Sequence, residues 1–420
     1  MTSQATKGSL LVIFLTVFID LLGFGMVLPL LPVYADHFNI GNSGWMLGAL
    51  MASFSAMQFI FAPFWGRLSD RIGRRPVIMI GLAGSVIFYA LFGYATQHKS
   101  LLLLFIARIG AGIAGATIST AQAYIADSTT PEKRSHGMAL IGMAFGLGFT
   151  FGPLLGYFAV PDGISDPGPW PGYIAAILSL LALLLAVFYL PESRTITTRP
   201  ASRRRIIDWG GLRDSLSLPS IGFLFLTIFF CIFSFANFET TISLLVKGDS
   251  QERALGSPFR FNWNQICLTF AFIGFTLAMV QGGIVRRLSK TMSEIRLAAT
   301  GAVLEIGGFT LVTFAVSLHS VPLLFVSLGI VVAGFSFLQP SLNGLLSRRT
   351  DPERQGVVLG VGQSVSSLAR IMGGYLGIPL LKFNVVTPYY LASALMVLGL
   401  LMILTVAKHG ADFTQPAEAP

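Results

Sequence analysis

Long apolar stretches alternate with short polar ones along nearly the whole chain. Within each stretch the apolar residues are continuous. They do not alternate one by one, so the pattern is that of membrane helices and not of a membrane β-barrel. Crossing about 30 Å of hydrocarbon takes about 20 helical residues. That rule predicts twelve spans, over 10–34, 44–65, 76–96, 101–126, 136–160, 171–190, 219–246, 264–285, 294–317, 320–346, 356–381 and 386–407. The first run is too long for a signal-peptide core of about 7–15 residues, so it is expected to remain as span one.

The longest polar interruption contains "PESRTITTRPASRRRIIDWGGLRD" and reads as a basic linker over 191–218. It separates residues 1–190 from 219–420, six spans on each side. The segments "TTPEKRSHG" (129–137) and "TDPERQG" (350–356) follow spans four and ten. "GPLLGY" (152–157) and "GGYLGIP" (373–379) then fall in spans five and eleven. The expected fold is therefore an all-α membrane protein, with twelve transmembrane helices in two pseudo-symmetric six-helix bundles. Parallel repeats of this kind are a transporter plan with the substrate site between the halves.

Composition agrees. The chain is 54% hydrophobic and only 11% charged, with a mean hydropathy of +0.73. A soluble domain carries about 25% charged residues. The net charge of +9 does not point to nucleic acid, because the basic residues are spread over short loops and do not share one face. With the N-terminus placed in the cytoplasm, 21 of the 28 Lys and Arg residues fall in cytoplasmic segments and five in external loops. That bias predicts both termini on the cytoplasmic side, in the cell (inner) membrane. Cys231 and Cys267 lie in apolar runs and offer no disulfide framework or metal spacing.

Two charges, Arg108 and Arg370, remain inside spans, joined there by Asp20, Glu239 and Glu305. A central Asp or Arg costs about 2.5–3.5 kcal/mol on insertion scales, so these side chains should face protein or each other. Two readings stand: buried ion pairs that orient helices, or a proton-coupling apparatus. A carboxylate in a poorly hydrated cavity can bind and release protons near neutral pH, and moving an arginine would switch its affinity. The preferred pairs are Asp20 with Arg108 and Glu305 with Arg370. Gln122 and Asn237 read either as hydrogen-bonding groups toward a substrate or as polar packing. With Asp20, Glu239 and Glu305 they form the candidate substrate contacts. Arg370 would suit an anionic one.

In span five, Gly142 and Gly146 are four apart, as are Gly148, Gly152 and Gly156. That spacing lets helices approach backbone to backbone, and Pro153 permits a bend. The match of "GAGIAG" (110–115) to a dinucleotide fingerprint fails, since it follows no strand. There is no Walker-type phosphate loop and no H-E-x-x-H. The chain is expected not to be an enzyme and to need no cofactor or metal.

"GRLSDRIGRRP" (66–76) places five charged residues in eleven positions between spans two and three. As a basic loop it is a topology signal, which leaves Asp70 and the glycines Gly66 and Gly73 unexplained. The segment resembles the loop motif of the major facilitator superfamily. Further stretches are similar to its drug:proton antiporters of the tetracycline-resistance type: "DLLGFGMVLPLLP" (20–32), "RIGAGIAGA" from Arg108, "AYIADSTTPEKR" (123–134), "GFTFGPLLG" (148–156) and "LPES" (190–193). "FNWN" (261–264) and "LQPSLNGLLS" (338–347) extend the likeness into the second half. The resemblance implies that Asp70 docks on a helix of the other half, helped by Arg71 and Arg74, with Arg75 completing the motif, and so latches the cytoplasmic side. It implies a proton-coupling role for Arg108 and matches Glu305 to an acidic position in span nine. Phe88 stands where those exporters carry an aspartate, and Gly-Gly with Arg370 stands in span eleven where they carry Gly-Pro. The expected function is proton-coupled export of an amphipathic small molecule or drug, tetracycline-like compounds included. The alternative is a proton-coupled symporter or a uniporter of a metabolite or sugar. Expected partners are the small-molecule substrate, protons and the lipid bilayer, with no nucleic acid and a monomeric state.

Overall fold

The computed structural model describes residues 7–37, 44–130, 133–159, 168–193, 219–247, 257–261, 263–351, 354–381 and 383–408. The linker from 194 to 218 lies outside the described residues, as does the loop residue 262. Among the described residues, twelve helical spans run over Lys7–His37, Gly44–Ile72, Arg74–Gln97, Leu101–Asp127, Arg134–Ala159, Trp170–Tyr189, Pro219–Lys247, Trp263–Leu288, Glu294–Ser317, Val321–Arg348, Gln355–Leu381 and Thr387–Lys408.

Serines start several of them. The Ser100, Ser293 and Ser320 hydroxyls each accept the backbone N–H three residues on, satisfying a donor that the first helical turn leaves free. Span four is two helices, Leu101–Gly115 and Ile118–Asp127, separated at Ala116–Thr117. Span eight contains a π-helical turn over Val280–Val285. The loop expected at 66–76 is mostly helix. Gly66–Ile72 completes span two and Arg74 already begins span three. Gly73 alone breaks the run, at a φ of 101° that an L side chain rarely adopts.

The neighbour relations of the two halves match one for one. Span one packs on five and six, and span three packs on four and six. Six spans later, seven packs on eleven and twelve, and nine packs on ten and twelve. Between halves, two packs on eleven and five packs on eight, again a pair related by the same shift. This is the pseudo-symmetric two-bundle fold expected from the hydropathy pattern.

Ten helices among the described residues are long and apolar enough to cross a membrane by length and composition alone. Spans two and eleven lie on one another across the interface between halves. Gly66 faces Gly356, Gly360 faces Ala62 and Pro63, and the Ser364 hydroxyl donates to the Phe59 carbonyl at 2.5 Å. Small and polar residues at these contacts let the two helices approach closely.

Candidate functional site

At the end carrying the 66–76 segment, called here the basic end, Asp70 reaches across the interface. Its carboxylate accepts from the backbone N–H groups of Gly356 at 3.1 Å and Val357 at 2.9 Å. These N–H groups belong to the first turn of span eleven, whose positive end favours an anion. Arg74 is fully buried and holds Asp70 in place. It donates to Asp70 at 2.6 Å, to the Ser69 hydroxyl at 2.7 Å and to Asp127 at 2.9 Å. Arg74 is therefore an arginine bonded to Asp70, and Arg71 beside it is exposed.

The glycines of the segment have separate reasons. A Cβ on Gly66 would fall on the Gly356 carbonyl oxygen, so only a bare backbone lets the two halves meet. Gly73 has no capping side chain of its own, and Glu192 from the end of span six fills that role. Its carboxylate accepts from the Arg74 and Arg75 backbone N–H groups at 2.9 and 3.1 Å. Arg75 also donates to the Val187 carbonyl at 2.6 Å.

Sequence reading gave no role to Glu192 or Asp127, although both lie in quoted segments. The repeat offered a signal. Arg74 at the start of span three pairs with Asp127 at the end of span four. Glu294 at the start of span nine pairs with Arg348 at the end of span ten, at 3.0 Å. The positions correspond and the charges are exchanged.

Further contacts close the same end. The buried Arg134 donates to the Ser347 carbonyl at 2.6 Å, and His136 meets both the carbonyl and the guanidinium of Arg286, at 2.8 and 3.1 Å. We expect Asp70→Asn to keep the fold while loosening this end. One charge-assisted acceptor is lost, and hydrogen bonds to charged groups contribute about 1.5–3 kcal/mol, roughly ten- to hundredfold in the open-to-closed ratio. The check is the labelling rate of a cysteine placed at Ser364. Equal rates with and without the substitution would refute the expectation.

The two glycine rows of span five serve different partners. Gly142 and Gly146 face span eight, where a Cβ would strike the Gln281 side chain and the backbone of Ala278. Gly148 and Gly152 face span one, against Leu21 and Gly25. Pro153 lies within the same helix, and Gly156 lies on its following turn. Span five is thus pinned by backbone contact to its own bundle on one side and to the other bundle on the opposite side.

The intramembrane charges do not pair as the sequence suggested. Asp20 accepts from the Ser179 hydroxyl of span six at 2.8 Å and makes no ion pair with Arg108. Arg108 is buried with its guanidinium over the Phe54 ring, 4.9 Å from the centroid, a cation–π contact in place of a salt bridge. The phenol of Tyr89, on span three, lies within electrostatic reach of both charges. Close packing of span one on span six sets this arrangement, with Gly23 against Ala175 one turn from Asp20.

Glu305 and Arg370 also stand apart. Glu305 is fully buried in the second bundle, and neither carboxyl oxygen has a hydrogen-bond partner. Its neighbours are Gly334 of span ten and Cys231 of span seven. One turn on, Phe309 packs near Phe238 with ring centroids 6.0 Å apart. Arg370 instead meets Glu239 of span seven, Nε to Oε2 at 3.4 Å. Glycines decide this too. Gly373 packs on Ala236 and Gly377 on Asn237, which brings span eleven onto span seven and turns Arg370 toward Glu239. Asn237 is buried and donates to the Phe233 carbonyl of its own helix at 2.8 Å, leaving its amide oxygen without a partner. Gln122 is buried in the second part of span four. Phe88 packs its ring on Gly110.

Two six-helix bundles related by a repeat, with ionisable groups at membrane depth and a charged clasp between them, define a secondary transporter. The chain belongs to the Major Facilitator Superfamily, whose family model matches residues 13–374. It is 31% identical over 406 residues to the tetracycline resistance protein, class C, of Escherichia coli, covering 96% of this chain and 95% of that one. It is 29% identical to multidrug resistance protein 2 of Bacillus subtilis (strain 168), with 94% of each covered. Among solved structures it resembles the human organic anion transporter MFSD10, with a TM-score of 0.81 and 27% identity over 94% of this chain and 99% of that one. The chain is accordingly a multi-pass membrane transporter and not an enzyme.

Proposed function

We propose that the chain exports amphipathic small molecules in exchange for protons, by alternating access between its two bundles, residues 1–190 and 219–420. The observation that carries this reading is Glu305, a carboxyl enclosed at membrane depth with no donor. A bare carboxylate is costly in such surroundings, so the site suits a carboxyl that holds a proton until motion of the bundles wets it. Asp20, held by the Ser179 hydroxyl with Ser85 also within reach, beside Tyr89 and Arg108, is a second carboxyl for the same cycle, with Arg108 poised to take it as partner when the helices shift. The clasp of Asp70 on span eleven belongs to the state closed at the basic end. We place that end and both termini in the cytoplasm, and the protein in the cell (inner) membrane as a monomer. The tetracycline and multidrug resistance proteins among its relatives support a drug-like substrate.

The test is internal pH in proteoliposomes. Substrate uptake that drives protons out supports exchange, whereas substrate and protons moving together indicate symport of a metabolite, and no proton movement indicates uniport. Asp20→Asn preserves the acceptor for Ser179, so folding should be retained while proton-driven transport falls to background. Undiminished transport in this variant would remove Asp20 from the mechanism.

A further inference from the structure

The pairing of Arg370 with Glu239 leaves much of the guanidinium unused. The contact is one long approach through Nε, and that nitrogen gains no hydrogen bond from it. No acceptor among the described residues takes a hydrogen bond from the two terminal nitrogens. The two side chains are 26% and 29% exposed, unlike the enclosed Arg108 and Glu305. A planar guanidinium fork with free terminal N–H groups fits a carboxylate in two parallel hydrogen bonds, a geometry that lysine cannot reproduce.

We propose that Arg370 is the anchor for the carboxylate of an amphiphilic organic acid, held by its terminal nitrogens, and that Glu239, beside Nε, competes for the same guanidinium until the ligand displaces it. This deepens the transport reading above, because it assigns the substrate class. The occupant is argued from three features. The guanidinium lies near the middle of span eleven, where only a compensated anion is stable beside it. Glu239 already shows that a carboxylate can sit there. One turn from Glu239 on span seven, Phe235 stacks on Phe335 of span ten with ring centroids 3.7 Å apart, a buried aromatic pair that backs the site with apolar packing. Span eleven carries both this fork and the Gly356–Val357 N-terminus that Asp70 clasps. The two are 14 residues apart, about 20 Å at helical rise. A ligand that pulls on Arg370 therefore acts on the helix that closes the basic end.

The experiment is fluorescence binding of 1-pyrenebutyrate and of its uncharged amide to the purified full-length protein in detergent, without any gradient. The wild type should prefer the acid by about tenfold or more. Arg370→Gln should erase the preference, so that acid and amide bind alike. Arg370→Lys should retain only part of it. Glu239→Gln removes the competing carboxylate and should tighten acid binding at least about fivefold. A wild type without preference for the acid, an Arg370→Gln protein that keeps it, or a Glu239→Gln protein that binds the acid more weakly would each overturn the proposal. Because binding is read without proton movement, failure of the exchange mechanism in proteoliposomes is a separate outcome.

Discussion

Gly66→Val is expected to hold the basic ends of the two bundles apart and to reduce transport at least tenfold. Gly66 and Gly356 meet backbone to backbone, and a Cβ on either falls on the other's carbonyl oxygen. Overpacking a core usually costs about 1–3 kcal/mol because side chains can turn aside. Here the obstacle is main chain on both sides, so the cheaper response is separation of the halves. Separation also removes the Asp70 carboxylate from the Gly356 and Val357 N–H groups. Labelling of a cysteine at Ser364, which is buried against span two in the closed state, should rise by a similar factor. Gly307→Ala is the control: Gly307 is on span nine with nothing within 4 Å, and helix propensity favours alanine there by about 1 kcal/mol. Normal transport and normal labelling in Gly66→Val would show that the closed arrangement at this interface is not part of the cycle.

Glu305→Gln is expected to abolish accumulation against a gradient while leaving stability nearly unchanged. The amide matches the acid in size, and the wild-type carboxyl already lacks partners. A buried unsatisfied polar group costs about 1–3 kcal/mol in either form, so the melting temperature should barely move. What the amide cannot do is carry a proton from one side of the membrane to the other. Exchange of substrate between equal compartments should persist, and uptake driven by a pH difference should fall about a hundredfold. Retention of pH-driven uptake would assign proton coupling to another carboxyl.

The twelve spans, their division six and six and the family likeness could be read from the chain because hydropathy is local and lipid imposes a fixed length. Asp70, Gly66 and Gly73 were legible as a motif for a related reason. A charge cluster beside an apolar run stands out in one dimension. Its partners, the Gly356 and Val357 N–H groups and the Glu192 cap, are main-chain donors or distant residues that carry no local signal. The intramembrane pairs were not legible at all. Asp20 goes to Ser179 and not Arg108, Arg370 to Glu239 and not Glu305, because helix neighbours and rotation select partners. Those are set by small residues such as Gly23, Gly373 and Gly377, whose contacts exist only once the helices are packed. The sequence by itself determined which segments enter the membrane and which charges they carry. The tertiary structure decided which way each charge faces, since a helix is the same to a hydropathy profile however it is turned about its axis.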